Sequence, residues 1–165
     1  MKTLLLMRHA KSSWDNPGLR DFDRPLNERG LKAAPLMGRY LRAQGIAPDL
    51  IVSSPAQRAQ QTAQLVKEAA RCAAPIRYEA AIYDANLNAL LKVLQTLDET
   101  AKTVLLVGHN PSFSGLVGHL SGSLEQMPTA AVANLELDCE TWPALRAQSG
   151  RLVWCVKPKQ LLAQD

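Results

Sequence analysis

Residues 4–13 read LLLMRHAKSS, four apolar side chains running straight into an arginine and a histidine. Leu4 to Met7 fit a short strand buried on both faces, which puts Arg8 and His9 at its carboxyl end. Open α/β sheets place their ligands at that edge, so the pair marks a candidate site.

Two further stretches repeat the pattern. In PDLIVSSPAQRAQQTA, residues 48–63, the apolar run Leu50 to Ser53 precedes Ser54 as a helix cap and Pro55 at the first helical position. Ala59, Thr62, Val66 and Ala69 then line one helix face. In KTVLLVGHNPSF, residues 102–113, Val104 to Val107 form the strand, Asn110 the cap and Pro111 the first helical residue. Arg58 and His109 thereby join Arg8 and His9 just beyond the carboxyl ends of three strands.

Around these units the pattern is consistent. A polar loop from Ala10 to Leu26 leads to Asn27, a cap for a helix carrying Leu31, Ala34, Met37 and Leu41, in which Pro35 is expected to cause a kink or a late start. A helical stretch follows around Ala89 to Leu97. Ala131 to Leu137 and Leu152 to Val156 read as strands with no long helix between them, which suits antiparallel pairing at a sheet edge. The expected fold is one α/β domain over residues 1–165, a mostly parallel central sheet flanked by helices in three layers.

Composition narrows the class. Apolar residues make up 47% and charged residues 21% of the 165, ordinary globular usage. The formal charge of +4 comes without a basic block or aromatic interleaving, so nucleic acid is not an expected partner. Three cysteines, Cys72, Cys139 and Cys155, form no CxxC pair and suit a reducing compartment. MKTLLLM is interrupted by Arg8, His9 and Lys11, and no later run approaches ~20 apolar residues, so a cytoplasmic protein away from membranes is expected. GxSxG, GxxxxGK[ST] and GxGxxG are absent, and His9, His109 and His119 lack metal-ligand spacing.

Two arginines and two histidines at one rim suit a phosphoryl group. Guanidinium forks bind its oxygens bidentately, and the free N–H groups of the helix after Asn110 add fixed donors. His9, on the rigid strand end, is the better nucleophile, provided that one ring nitrogen is held by a carbonyl or carboxylate so that the other can attack. His109, with Arg8 and Arg58, is placed to stabilise charge on the transferring group. Trp14 is expected to anchor the loop against the body, Trp142 and Trp154 to pack, and Asp23, Arg24 and Asn27 to form a turn and helix cap.

LMRHAKSSW, DFDRPLNERG, DLIVSSPAQRAQQTA and VLLVGHNPSF, in that order, together resemble the histidine phosphatase superfamily (branch 1), in particular its small SixA-like phosphohistidine phosphatases. The resemblance spans roughly residues 3 to 120. It implies a phosphoglycerate mutase-like fold, phosphorylation of His9, and a phosphate pocket completed by Arg8, Arg58 and His109, with Ser12 as a hydroxyl near the phosphate. It implies no metal or cofactor. One departure is Ala10, where the wider superfamily has glycine; alanine is tolerated if φ there is not positive. The other is the missing insertion that carries a glutamate acid in mutase-like members, leaving Asp84, with Glu79 behind it, as the acid candidate. Alkoxide leaving groups need a proton and imidazole needs far less help, so the expected substrate is phosphohistidine on a protein. A phosphomonoesterase for small metabolites and a non-catalytic phosphate-recognition module are the alternatives, and the oligomeric state is left open.

Overall fold

A computed structural model describes residues 1–162. In chain order it comprises β1 (Lys2–Arg8), α1 (Glu28–Ala43), β2 (Leu50–Ser53), α2 (Gln57–Ala70), β3 (Ile76–Tyr78), α3 (Leu87–Gln95), β4 (Thr103–Gly108), α4 (Ser112–Ser121), β5 (Val132–Leu137), β6 (Gly150–Val156) and the short α5 (Pro158–Leu162). The strands form one six-stranded sheet in the order β3-β2-β4-β1-β5-β6. The first four are mutually parallel, whereas β5 and β6 run antiparallel at one edge.

Strict alternation along the central strands builds both cores. Leu4 and Leu6 of β1, with Val104 and Leu106 of β4, face a cluster that includes Leu90 and Leu94 of α3 and Leu116 and Leu120 of α4. Leu5, Met7, Leu105 and Val107 face the opposite cluster, with Met37 and Leu41 of α1 and Val66 of α2. Period-two alternation between two helix-covered faces is what an apolar run such as LLLM can satisfy. Three layers result.

Register then decides the site. Arg8 of β1 lies level with Gly108 of β4, so the chain leaves both strands at the same height, and the His9 amide donates to the Gly108 carbonyl at 2.9 Å. His9 and His109 are neighbours because adjacent parallel strands stop together. Gly108 has no room for a side chain: a Cβ there would lie 2.5 Å from the Phe113 ring.

Helix starts differ from the sequence reading. Ser54 and Pro55 do not begin α2, which starts at Gln57 after an uncapped Ala56, and the Ser54 hydroxyl accepts the Ala56 N–H and meets the His109 ring instead. Pro111 precedes α4 rather than opening it, although the Asn110 side chain still accepts the Ser114 N–H. Pro35 neither delays nor interrupts α1, which starts beside the Asn27 cap. Leu31 is exposed, and Gly30 takes the inward place because a Cβ there would collide with the Lys11 carbonyl. The three-residue β3 carries too short an apolar run to be seen in the sequence.

Candidate active site

The carboxyl ends of β1, β2 and β4 open into a cavity of about 340 Å³ lined by Arg8, His9, Arg58 and His109. Ser12, Asn110 and Asp84 line it too, so the candidate residues converge from four segments of the chain. Glu79 does not reach it; its carboxylate accepts the Ala81 N–H and borders a separate groove on the flank.

His9 meets the condition set for a nucleophile. Its Nδ1 lies 2.7 Å from the Ala10 carbonyl, and a carbonyl can only accept, so Nδ1 carries the proton and Nε2 keeps its lone pair. The side chain is buried, and burial pulls its pKa down from 6.5 to about 3, with the charges of His109, Arg58 and Arg8 acting in the same direction. His109, whose ring centre is 5.2 Å from that of His9, is held down to about 4, mainly by burial and then by Arg58. Both rings are therefore neutral at physiological pH. Ala10 does not take positive φ, so its methyl group is accommodated, and its N–H donates to Thr62 Oγ1 at 3.0 Å. Thr62 in turn donates to the Arg58 carbonyl, which ties the loop after His9 to α2.

Asp21 and Tyr83, which the sequence did not single out, and Arg24, read there as a turn residue, complete the site. Asp21 receives Nη1 of Arg58 on its backbone carbonyl at 2.7 Å and Nη2 on its carboxylate at 3.0 Å, and the Tyr83 hydroxyl donates to the same carboxylate at 2.8 Å. Burial alone would raise the Asp21 carboxyl, but hydrogen bonds from Tyr83 and Arg58 and the charges of Arg58 and Arg24 hold it below the usual range. Arg24 is itself a cavity residue, 7% exposed, with Nε 3.3 Å from the Asp21 carboxylate. Nothing in DFDRPLNERG singles Arg24 out from the turn; its position past a polar loop carries no periodicity to read. Trp14 corrects another expectation. It is 73% exposed and lies over the Arg24 guanidinium at 3.4 Å, a lip of the cavity rather than an anchor in the body.

Ser12 is buried and pairs by its backbone with Leu26, closing the loop on itself at the cavity wall. The Asn110 side chain is committed elsewhere: its amide donates to the Met127 carbonyl at 2.9 Å and its oxygen accepts from Ser114. One N–H of that amide and the backbone remain for a ligand. Met127 also accepts from Nη1 of Arg8 at 3.1 Å, so one carbonyl positions both residues. Asp84 is exposed, with φ of 58°, a conformation Asp tolerates.

Unpaired polar atoms concentrate here. Among the described residues, the buried side-chain polar atoms without a hydrogen-bond partner are Nε of Arg8, Nε and Nη1 of Arg24, Nε of Arg58, Nδ1 of His109 and Oδ1 of Asn134. All but the last belong to residues that line this cavity, and among them Nε of Arg24 lacks an aligned hydrogen bond although the Asp21 carboxylate lies 3.3 Å away as an ion-pair partner. A buried polar group without a partner costs about 1–3 kcal/mol, so the convergence of these guanidinium nitrogens fits an oxyanion that would satisfy several at once. Among the described residues no group of three or more His, Cys, Asp or Glu is placed to hold a metal ion.

A family model described as histidine phosphatase superfamily (branch 1) matches residues 4–90. An uncharacterized protein of Mycobacterium tuberculosis is 34% identical over 142 residues, covering 79% of this chain and 87% of that one. Among solved structures, a candidate phosphohistidine phosphatase SixA from Agrobacterium tumefaciens is 32% identical with a TM-score of 0.81, covering 95% of this chain and 98% of the other. Another, from Nakamurella multipartitia, is 29% identical with a TM-score of 0.84, covering 95% and 96%.

Proposed function

The chain belongs to the histidine phosphatase superfamily, branch 1, and from that membership we propose that it hydrolyses phosphohistidine on a protein by way of a phosphorylated His9. The observation that carries this reading is the bare Nε2 of a neutral, buried His9 in a cavity with unpartnered guanidinium nitrogens of Arg8, Arg24 and Arg58 and the unpartnered Nδ1 of His109. The SixA-type neighbours support phosphohistidine as the substrate class.

The chemistry follows from the groups present. Nε2 of His9 attacks phosphorus in line; the substrate N–P bond breaks as the His9 N–P bond forms, and the electron pair leaves on the substrate imidazole. That ring, protonated near its ordinary pKa of ~6.5, departs without a proton from the enzyme. The guanidinium groups and the His109 ring stabilise the equatorial oxygens. Water then cleaves the His9 N–P bond, releasing inorganic phosphate and returning neutral His9. Every group in this sequence is a side chain, and activity is expected to persist in a chelator.

Asp84 on the cavity wall favours a second reading, a phosphomonoesterase for small metabolites in which that carboxyl protonates an alkoxide. The two separate in one assay: phosphate release from a phosphohistidine-bearing protein against a panel of sugar and nucleotide esters, with EDTA present. Preference for the phosphohistidine protein is expected; comparable turnover of esters would favour the second reading, and binding without turnover a recognition module. No described helix is long and apolar enough to cross a membrane. A cytoplasmic setting, with phosphorylated protein as partner, is part of the proposal.

A further inference from the structure

Ser54, spent neither on a helix cap nor on substrate, has a hydroxyl whose proton can be traced. It is fully buried, its Oγ lies 2.8 Å from Nε2 of His109, and it accepts the Ala56 N–H at 3.2 Å. Ser53 does not compete, because its hydroxyl donates to the Ser54 carbonyl rather than to the side chain. A hydroxyl has one proton to give, and the Ala56 N–H can only donate. Among the described partners of Ser54 Oγ, the His109 ring nitrogen is the one acceptor.

We propose that Ser54 is a positioning residue that donates to Nε2 of His109, placing the ring proton on Nδ1 so that the neutral imidazole offers an N–H to the transferring phosphoryl group. Nδ1 is a buried atom without a partner, on a residue of the cavity wall. In the opposite tautomer Nδ1 would turn a lone pair toward the phosphoryl oxygens, while the Ser54 proton would be left without an acceptor. The charged and titratable groups around the ring are His9, Arg8, Arg58, Asp21 and Tyr83, whose ring lies edge-on to His109 at 5.6 Å. Burial and then the Arg58 charge disfavour a second ring proton, so His109 is a donor through its tautomer and not through charge.

The role in transfer rests on the reading of His9 as nucleophile; the tautomer does not. Two-bond proton–nitrogen correlation spectra of 15N-labelled wild-type protein, recorded alone and with inorganic phosphate, read the His109 tautomer directly. Nδ1 protonated and Nε2 bare are expected, with the Nδ1 proton shifted by phosphate; a proton on Nε2 overturns the proposal whether or not any substrate is turned over. In Ser54→Ala the tautomers are expected to mix and kcat to fall about 10- to 100-fold with KM within about twofold, less than the loss of an oxyanion donor outright. Ser54→Thr, which keeps the hydroxyl, is expected to restore both. Wild-type tautomer and kcat in a folded Ser54→Ala protein would equally refute it, and if that variant does not fold the wild-type spectrum decides alone.

Discussion

Asp21 grips Arg58 twice, once through its backbone carbonyl at 2.7 Å and once through its carboxylate at 3.0 Å, although the two residues are 37 positions apart. The 3-10 turn that carries Asp21 is thereby tied to α2, and the guanidinium is held in one plane at the cavity wall. Asp21→Ala leaves the backbone contact and removes the charged one. We expect kcat to fall about tenfold, which corresponds to about 1.4 kcal/mol of transition-state stabilisation. The inhibition constant of inorganic phosphate is not expected to rise, since the pocket also loses a negative charge. Unchanged kcat would mean that the carbonyl alone holds Arg58.

Trp14 covers Arg24 from the solvent side. Trp14→Ala frees the Arg24 guanidinium from the indole that covers it at the cavity wall, and KM is expected to rise severalfold. With the indole 73% exposed, the melting temperature is expected to stay close to that of wild type. A fall in melting temperature with unchanged KM would restore the role of anchor.

The depressed histidines make stability depend on pH. His9 lies near 3 and His109 near 4 in the folded chain, against 6.5 for a free imidazole, with burial the largest cause in each. Below about pH 6.5 the unfolded chain binds protons that the folded site refuses, so this stability is complete above that pH and is lost as the pH falls toward the folded values. Each ring accounts for about 2 kcal/mol of loss by about pH 5. Denaturant unfolding across that window is expected to show a shallower pH slope for His9→Gln than for wild type. Equal slopes would show that His9 is not depressed.

Asp84 tests the role of the leaving group. Its left-handed backbone also suits asparagine, so Asp84→Asn is expected to fold. Turnover of phosphohistidine protein is expected to stay within about twofold, whereas any residual ester hydrolysis drops about 100-fold, the size of a lost general acid. An equal loss on both substrates would make Asp84 a general acid for phosphohistidine as well.

Much of this was legible in the chain order of the residues. Arg8, His9, Arg58 and His109 each follow an apolar run, and a parallel sheet sends the ends of such runs to one rim. The antiparallel β5 and β6 were visible for a related reason, two apolar stretches without a crossover helix. Asp21, Arg24 and Tyr83 were not, because they reach the site from a polar loop and a turn, where no periodicity reports which way a side chain points. Ser54 misled in an instructive way: a serine before a proline reads as a helix cap, yet its hydroxyl is turned toward a histidine 55 residues later. The exposure of Trp14 depends on a stack with Arg24, a contact that residue spacing does not encode.

The most direct measurement is rapid mixing of the protein with a labelled small phosphodonor, quenching in base and mapping of the modified side chain. Label on Nε2 of His9, stable to base, labile to acid and absent from His9→Ala, is the predicted result. Label on any other residue, or label that survives in His9→Ala, would contradict it.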